Sequence, residues 1–234
     1  MTSMASILRP GRRHWRDFWS KQTTPLHARE NTQDYQALAA ELRLLFADRT
    51  IDRVLEIGCG NGALFTHLGF HTVTRYVGID FSQAMLAEFG VRYPGVELVE
   101  ADGANFCSTE KFDLVLSSHV IQYWDRGQLA QHLDHARSMI VGDGLVVLAG
   151  IPWSRMRLAH ARGDLIGGDL TGGKRRSLPM AALSTVRELI LPDIGHWYDF
   201  PELKELATTR NFRVAFRGSG YYPSRFHAVL QPRT

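Results

Sequence analysis

Glu56, Gly58, Gly60 and Gly62 stand at alternate positions in the run Glu56-Ile57-Gly58-Cys59-Gly60-Asn61-Gly62. Glycine has no Cβ, so a chain written this way turns sharply and lets a ligand lie against its backbone. The apolar residues Val54, Leu55 and Ile57 around the acid read as a short buried strand. Residues 63–68 then predict the start of a helix, with Asn61 as its cap. A strand, a glycine turn and a helix start make a nucleotide-sized site at the carboxyl end of a sheet. Two more acids close apolar runs: Asp80 in Tyr76-Val77-Gly78-Ile79-Asp80, and Asp102 after Val96-Glu97-Leu98-Val99 and before Gly103. Asp80 falls about 20 residues beyond the glycine turn, where a carboxylate accepts hydrogen bonds from ribose hydroxyls. Phe81 follows it and offers a flat face to a base.

The spacing separates two chemistries. A dinucleotide fingerprint places its third glycine three positions after the second. Here the interval is two, which counts against a nicotinamide oxidoreductase. The form acid-x-Gly-x-Gly-x-Gly resembles motif I of the class I S-adenosylmethionine-dependent methyltransferases. Residues 112–119, Phe-Asp-Leu-Val-Leu-Ser-Ser-His, resemble that family's motif IV, with Asp113 near the strand start. Residues 145–150, after the turn Gly142-Asp143-Gly144, resemble its late motif. The resemblance runs from about residue 52 to 151. It implies S-adenosyl-L-methionine as cofactor and no metal. Glu56, Gly58, Gly60 and Gly62 would build the methionine-side loop, with Glu56 orienting backbone amides or the cofactor amine. Asp80 would hold the ribose and Phe81 would cover adenine. Asp102 and Gly103 would flank the adenine edge, and Ser117 or Ser118 would line the methionine-side pocket.

The acceptor side is less specified. The fourth strand does not end in Asn/Asp-Pro-Pro-Tyr/Phe, the signature of enzymes that methylate base or glutamine amino groups. It ends in Ser117-Ser118-His119-Val120. His119 is the first candidate for a general base and His196 the second, each weighed against a locally packed histidine. Tyr123, Trp124, Trp153, Trp197, Tyr198, Tyr221 and Tyr222 are aromatic residues at loop-like positions, either walls of an acceptor pocket or core.

These residues need elements to hold them. Tyr35, Leu38, Leu42, Leu45 and Phe46 have helix spacing over 34–46, with Asn31 and Thr32 as caps. Strands and helices alternate to residue 151, including a helix at 128–140, which argues a parallel sheet. Residues 153–195 interrupt the rhythm with glycines and the trio Lys174-Arg175-Arg176. A segment this long between elements reads as an insertion or lid, with a helix at 180–191 inside it. A helix over 200–210 and strands over 212–218 and 225–230 complete the chain, the two strands pairing antiparallel. The expected fold is a doubly wound α/β protein. Its mostly parallel seven-stranded sheet has helices on both faces and a C-terminal antiparallel hairpin. The expected domains are a basic arm at 1–30 and a Rossmann-like domain at 31–234.

The 234 residues are 44% hydrophobic, as in a folded soluble domain. No apolar run approaches the ~18 residues of a membrane helix. Two cysteines at no metal-ligand spacing fit a reducing cytoplasm. The arm holds Arg9, Arg12, Arg13, Arg16 and Lys21 but no apolar signal core. Its Trp15, Phe18 and Trp19 have near-helical spacing and read as a docked helix. A net charge of +3 so distributed is a weak nucleic-acid footprint. The leading expectation is a methyltransferase for a small molecule or sugar-like acceptor. An RNA or protein methyltransferase and a cofactor-binding protein without turnover stand as alternatives. Oligomeric state is not legible.

Overall fold

The computed structural model describes residues 32–163, 177–190 and 195–233. The basic arm, Asn31, residues 164–176 with the basic trio, and Leu191 lie outside them. Seven strands form one sheet: β1 (Arg53–Ile57), β2 (Arg75–Asp80), β3 (Glu97–Glu100), β4 (Phe112–Ser118), β5 (Ile140–Pro152), β6 (Phe212–Gly218) and β7 (Arg225–Pro232). Their spatial order is β3-β2-β1-β4-β5-β7-β6. The first five are parallel, and β7 lies antiparallel between β5 and β6. The link at 219–224 is too short for a crossover, so the last two strands form a hairpin.

The helices are α1 (Thr32–Arg43), α2 (Gln83–Arg92), α3 (Arg126–Met139), α4 (Arg157–Arg162), α5 (Leu178–Ile190) and α6 (Phe200–Thr208). Side chains set where several begin. Ser82 accepts from Met85 N at the start of α2, Asp125 and Gln128 form a capping box on α3, and Asp199 accepts from Phe200 N ahead of Pro201 on α6. The strands divide their apolar residues by the period of two. Leu55, Ile57, Val77 and Ile79 pack toward Leu129 and Leu133 of α3 and Leu203 and Leu206 of α6. Val54, Tyr76, Leu114 and Leu116 pack on the other face with Leu38 and Leu42 of α1 and Leu86 and Phe89 of α2.

Two local expectations are corrected. Residues 63–68 are a chain of turns, not an α-helix, closing in a 3₁₀ turn at Phe70–Thr72. Gly62 and Gly69, both at positive φ, bracket too few residues to sustain a helix nucleus. Phe65 is held instead in an aromatic cluster, its ring 4.8 Å from Tyr76, 5.3 Å from Phe89 and 5.0 Å from Tyr93. The run Gly142-Asp143-Gly144 does not precede β5 but lies within it, as a bulge. Ile140 faces Phe112 while Leu145 faces Leu114. Of the two readings of Trp153, the packed one holds. It stacks on Phe200 at 4.9 Å, Phe200 stacks on Phe216 at 4.6 Å, and the ladder packs α6 against the hairpin. At the opposite edge, Asp113 accepts from the backbone of Asp52 and Arg53, so it braces strand starts far from the carboxyl ends.

Candidate active site

β1 and β4 are neighbours, yet the chain leaves them toward opposite sides of the sheet. That reversal opens a crevice at their carboxyl ends. Two adjoining clefts fill it, sharing Gly58, Gly60, Met85, Ser118 and His119. The first encloses about 840 Å³ and is walled by Asp80, Phe81, Asp102, Gly103 and Trp124. The second encloses about 690 Å³ and reaches Glu56, Asn61, Tyr35 and Leu38 of α1, and Tyr222.

The glycine turn is latched from β2. Gly58 N and Cys59 N donate to Ile79 O at 2.6 and 3.0 Å. Gly60 N donates to Asp80 Oδ2 at 3.0 Å, and Ser82 N to Asp80 Oδ1 at 2.9 Å. Asp80, rather than Glu56, therefore orients the loop amide. Burial raises the Asp80 pKa against the lowering effect of these backbone N–H groups. The Phe81 N–H also bonds this carboxylate, so only part of its acceptor capacity is left for a ligand. Gly60 sits at φ +54°, and a Cβ there would meet nothing within 4 Å. Its bare face is open to both clefts. Asp102 accepts from Ala104 N at 3.1 Å and Asn105 Nδ2 at 3.2 Å, which fixes the turn carrying Gly103.

Glu56 is buried beneath the turn and accepts from the Tyr76 hydroxyl at 2.7 Å. Burial pushes its carboxyl up to about 7; the Tyr76 bond opposes this and the Asp80 charge adds to it. The folded value lies above that of an unfolded chain. Protonated Glu56 therefore contributes its full stability below about pH 4, and that contribution is lost as pH rises through about 7. At about 1.4 kcal/mol per pKa unit, the swing is on the order of 3 kcal/mol. His132, pushed down to about 4 chiefly by burial, has the opposite slope and partly masks this in the parent. Glu56→Gln stays neutral at every pH. Denaturation midpoints should show it gaining about 3 kcal/mol on the parent between pH 4 and pH 8. A difference that does not change with pH would show that folding leaves the Glu56 carboxyl unshifted.

His119 lies at the seam of the two clefts, at φ +60°. Its Nδ1 is 3.1 Å from Ser118 Oγ, and its ring meets Tyr222 edge-on at 5.3 Å. Ser118 lines both clefts, whereas Ser117 lines neither. Alternation along β4 turns Ser117 inward, where its hydroxyl is 3.3 Å from His132 Nε2. His132 Nδ1 donates to Gly103 O at 3.2 Å, so α3 steadies the cleft floor. Gly62 also faces away from both clefts. A Cβ there would lie 2.6 Å from the Phe89 ring, so this glycine serves packing against α2. His196 lines neither cleft; its N–H donates to Gln122 O at 2.7 Å, bracing the turn at Ile121–Tyr123. The Tyr198 hydroxyl braces the same turn through Ile121 O and Trp124 O. Trp124 both packs in the core and walls the first cleft, while Trp197 is buried. Tyr35, Leu38 and Met85 are wall residues that sequence reasoning missed. Their helix spacing is that of any core face, so only the packing distinguishes them.

Residues 54–144 match the family described as a methyltransferase domain. The match contains the glycine turn, both strand-end acids and β4. Trans-aconitate 2-methyltransferase of Acidovorax sp. (strain JS42) is 33% identical over 95 residues, which is 40% of this chain and 36% of that protein. The chain thus spans little more than a third of the curated relatives it matches. Streptomyces venezuelae DesVI superposes with a TM-score of 0.62 at 19% identity, over 85% of this chain and 92% of that one. CalS10, an amino pentose methyltransferase from Micromonospora echinaspora with S-adenosylmethionine bound, gives 0.61 at 18% identity over 88% and 92%. These neighbours share the fold over more of the chain than the matched residues 54–144.

Proposed function

We propose that this protein is an S-adenosyl-L-methionine-dependent methyltransferase acting on a small uncharged or cationic acceptor. The observation that carries the cofactor is Gly60, bare and open over a cleft whose other walls are Asp80, Phe81, Asp102 and Gly103. A Cβ at Gly60 would occupy the space that a ligand backed by this turn needs. Asp80 offers carboxylate lone pairs to vicinal hydroxyls, and Phe81, Asp102 and Gly103 offer a ring face and a polar edge to a base. Glu56, at the foot of the second cleft, offers a carboxylate to an ammonium group above about pH 7. When bound, the cofactor supplies a methyl group on a positively charged sulfur, so the electrophile comes ready-made.

The chain then has two tasks, to orient the acceptor and to remove its proton where it has one. His119 is placed for both, at the seam shared by the clefts. With a hydroxyl acceptor, His119 Nδ1 takes the proton as the oxygen attacks, because Nε2 is buried over Gly150. His119→Ala should then lose about 10²–10⁴-fold in turnover with cofactor affinity nearly unchanged. His196→Ala should stay near parent activity, because His196 lines neither cleft. Label transfer from methyl-labelled cofactor into a panel of hydroxyl and amine acceptors would find a substrate and then measure both variants. Equal activity of His119→Ala and parent on a hydroxyl acceptor would remove the base.

The acceptor class rests on charge. Among the described residues, the cleft walls carry the carboxyls of Glu56, Asp80 and Asp102 and no lysine or arginine. Polycarboxylates of the trans-aconitate kind are disfavoured in such a field. Tyr35 and Tyr222, which shape the second cleft, also lie outside the matched domain at 54–144. A small acceptor such as an amino sugar or a phenol suits these walls. Free Cys59 and Cys107 accord with a reducing compartment, and no described helix is long and apolar enough to cross a membrane. Calorimetry with S-adenosylmethionine, S-adenosylhomocysteine and NAD tests the reading. NAD binding with neither sulfur compound bound would overturn it.

A further inference from the structure

Three walls of the second cleft come from distant parts of the chain: Tyr35 and Leu38 on α1, His119 after β4, and Tyr222 in the β6–β7 link. One carboxylate joins them. Glu41 Oε1 accepts from Gly220 N at 2.7 Å and from His227 Nε2 at 3.2 Å. Its Oε2 accepts from Ser219 Oγ and Tyr221 N, both at 3.1 Å. His227 is buried in β7, and its Nδ1 accepts from Gly150 N at 3.2 Å. That contact fixes the tautomer: Nδ1 carries the lone pair and Nε2 the proton, so a neutral His227 donates to an ionised Glu41. Gly150, at φ +66°, is the ledge under His119. A Cβ there would stand 2.5 Å from His119 Cε1 and Nε2.

We infer that Glu41 is a positioning residue, which through His227 and Gly150 sets the place of His119 while it ties α1 to the loop bearing Tyr222. The acceptor-side wall is thereby a single unit: the helix that supplies Tyr35 cannot shift without moving the ledge beneath His119. The assignment rests on the methyltransferase reading for its meaning in catalysis, but the linkage is a property of the free protein. Glu41 is suited to the task because its partners are donors. The two amides and His227 Nε2–H have no lone pair to offer, and only the Ser219 hydroxyl can reverse its role. A glutamine at this position keeps one acceptor oxygen and turns an NH₂ toward groups that need an acceptor.

Glu41→Gln in the full chain tests this with two readings. The first is the ring signal of His119 in histidine-labelled protein, assigned by its loss in His119→Ala. The second is amide exchange at Gly150. The expected result is a displaced or broadened His119 signal and roughly tenfold faster exchange at Gly150, the scale of one lost hydrogen bond to a charged group. A purely local role would speed exchange at Gly220 and Tyr221 and leave Gly150 and His119 as in the parent, and that outcome overturns the inference. Ser219→Ala, which removes one of the donors, guards against misfolding of the first variant. It should displace the His119 signal in the same direction by less, and an unmoved signal counts against the linkage. Titration of the parent with S-adenosylhomocysteine separates the two claims. If it does not bind, the function proposed above fails, while the coupling of Glu41 to His119 is still read without ligand.

Discussion

Gly60→Val is expected to eliminate measurable binding of S-adenosylmethionine while leaving a folded protein. Gly60 is at φ +54°, which costs a non-glycine residue about 1–2 kcal/mol. A Cβ there would meet no protein atom within 4 Å and would project into the space above the turn. The stability loss is therefore modest and the binding loss large, because a branched side chain stands where the ligand must approach. Gly58 and Gly62 differ. A Cβ at Gly58 would lie 2.2 Å from Val120 Cγ2 and one at Gly62 2.6 Å from Phe89, so both substitutions attack the packing. Calorimetry and thermal melting on the three valine variants should show binding lost with little melting change only for Gly60. Parent-like affinity in Gly60→Val would place the cofactor elsewhere.

Asp80→Ala should weaken the cofactor by more than one hydrogen bond's worth. The carboxylate holds Gly60 N and Ser82 N as well as facing the first cleft. Its removal deletes the ligand contact and unlatches the turn. Hydrogen bonds to a charged group contribute about 1.5–3 kcal/mol each, so an affinity loss of about 3–5 kcal/mol is expected. Asp80→Asn should fall between parent and alanine, since its amide oxygen can keep one of the two N–H groups. The check is the order of the three dissociation constants with S-adenosylhomocysteine. Asparagine and alanine variants that bind alike would assign the whole effect to charge.

How far the site was legible depended on how local its chemistry is. The strand–glycine–acid series could be read because each part is contiguous. A glycine turn after an apolar run, then an acid at the next strand end, needs only short-range sterics and the alternation of a buried parallel sheet. The hairpin at the C-terminus followed from a link too short to cross the sheet. Ser117, Gly62 and His196 lie off the two clefts for one shared reason. Ser117 and Ser118 are adjacent and chemically identical, and only the register of β4 with β1 and β5 decides that Ser118 faces the cleft. Gly62 completes the motif in sequence, yet the approach of Phe89 makes it a packing residue. His196 looked equivalent to His119 until its segment was found against the Ile121–Tyr123 turn.

The sequence by itself determined the sheet class, the place of the crevice and the acids that face it, because hydrophobic continuity and backbone freedom act over a few residues. The tertiary structure alone decided the wall of the second cleft. Tyr35, His119 and Tyr222 are far apart along the chain, and so are Glu41 and His227, which stand 186 positions apart. No local pattern marks a glutamate on a helix face as the acceptor for a distant loop. That role arises when sheet closure brings α1, the end of β5 and the hairpin to one point, and burial there requires every donor to find an acceptor.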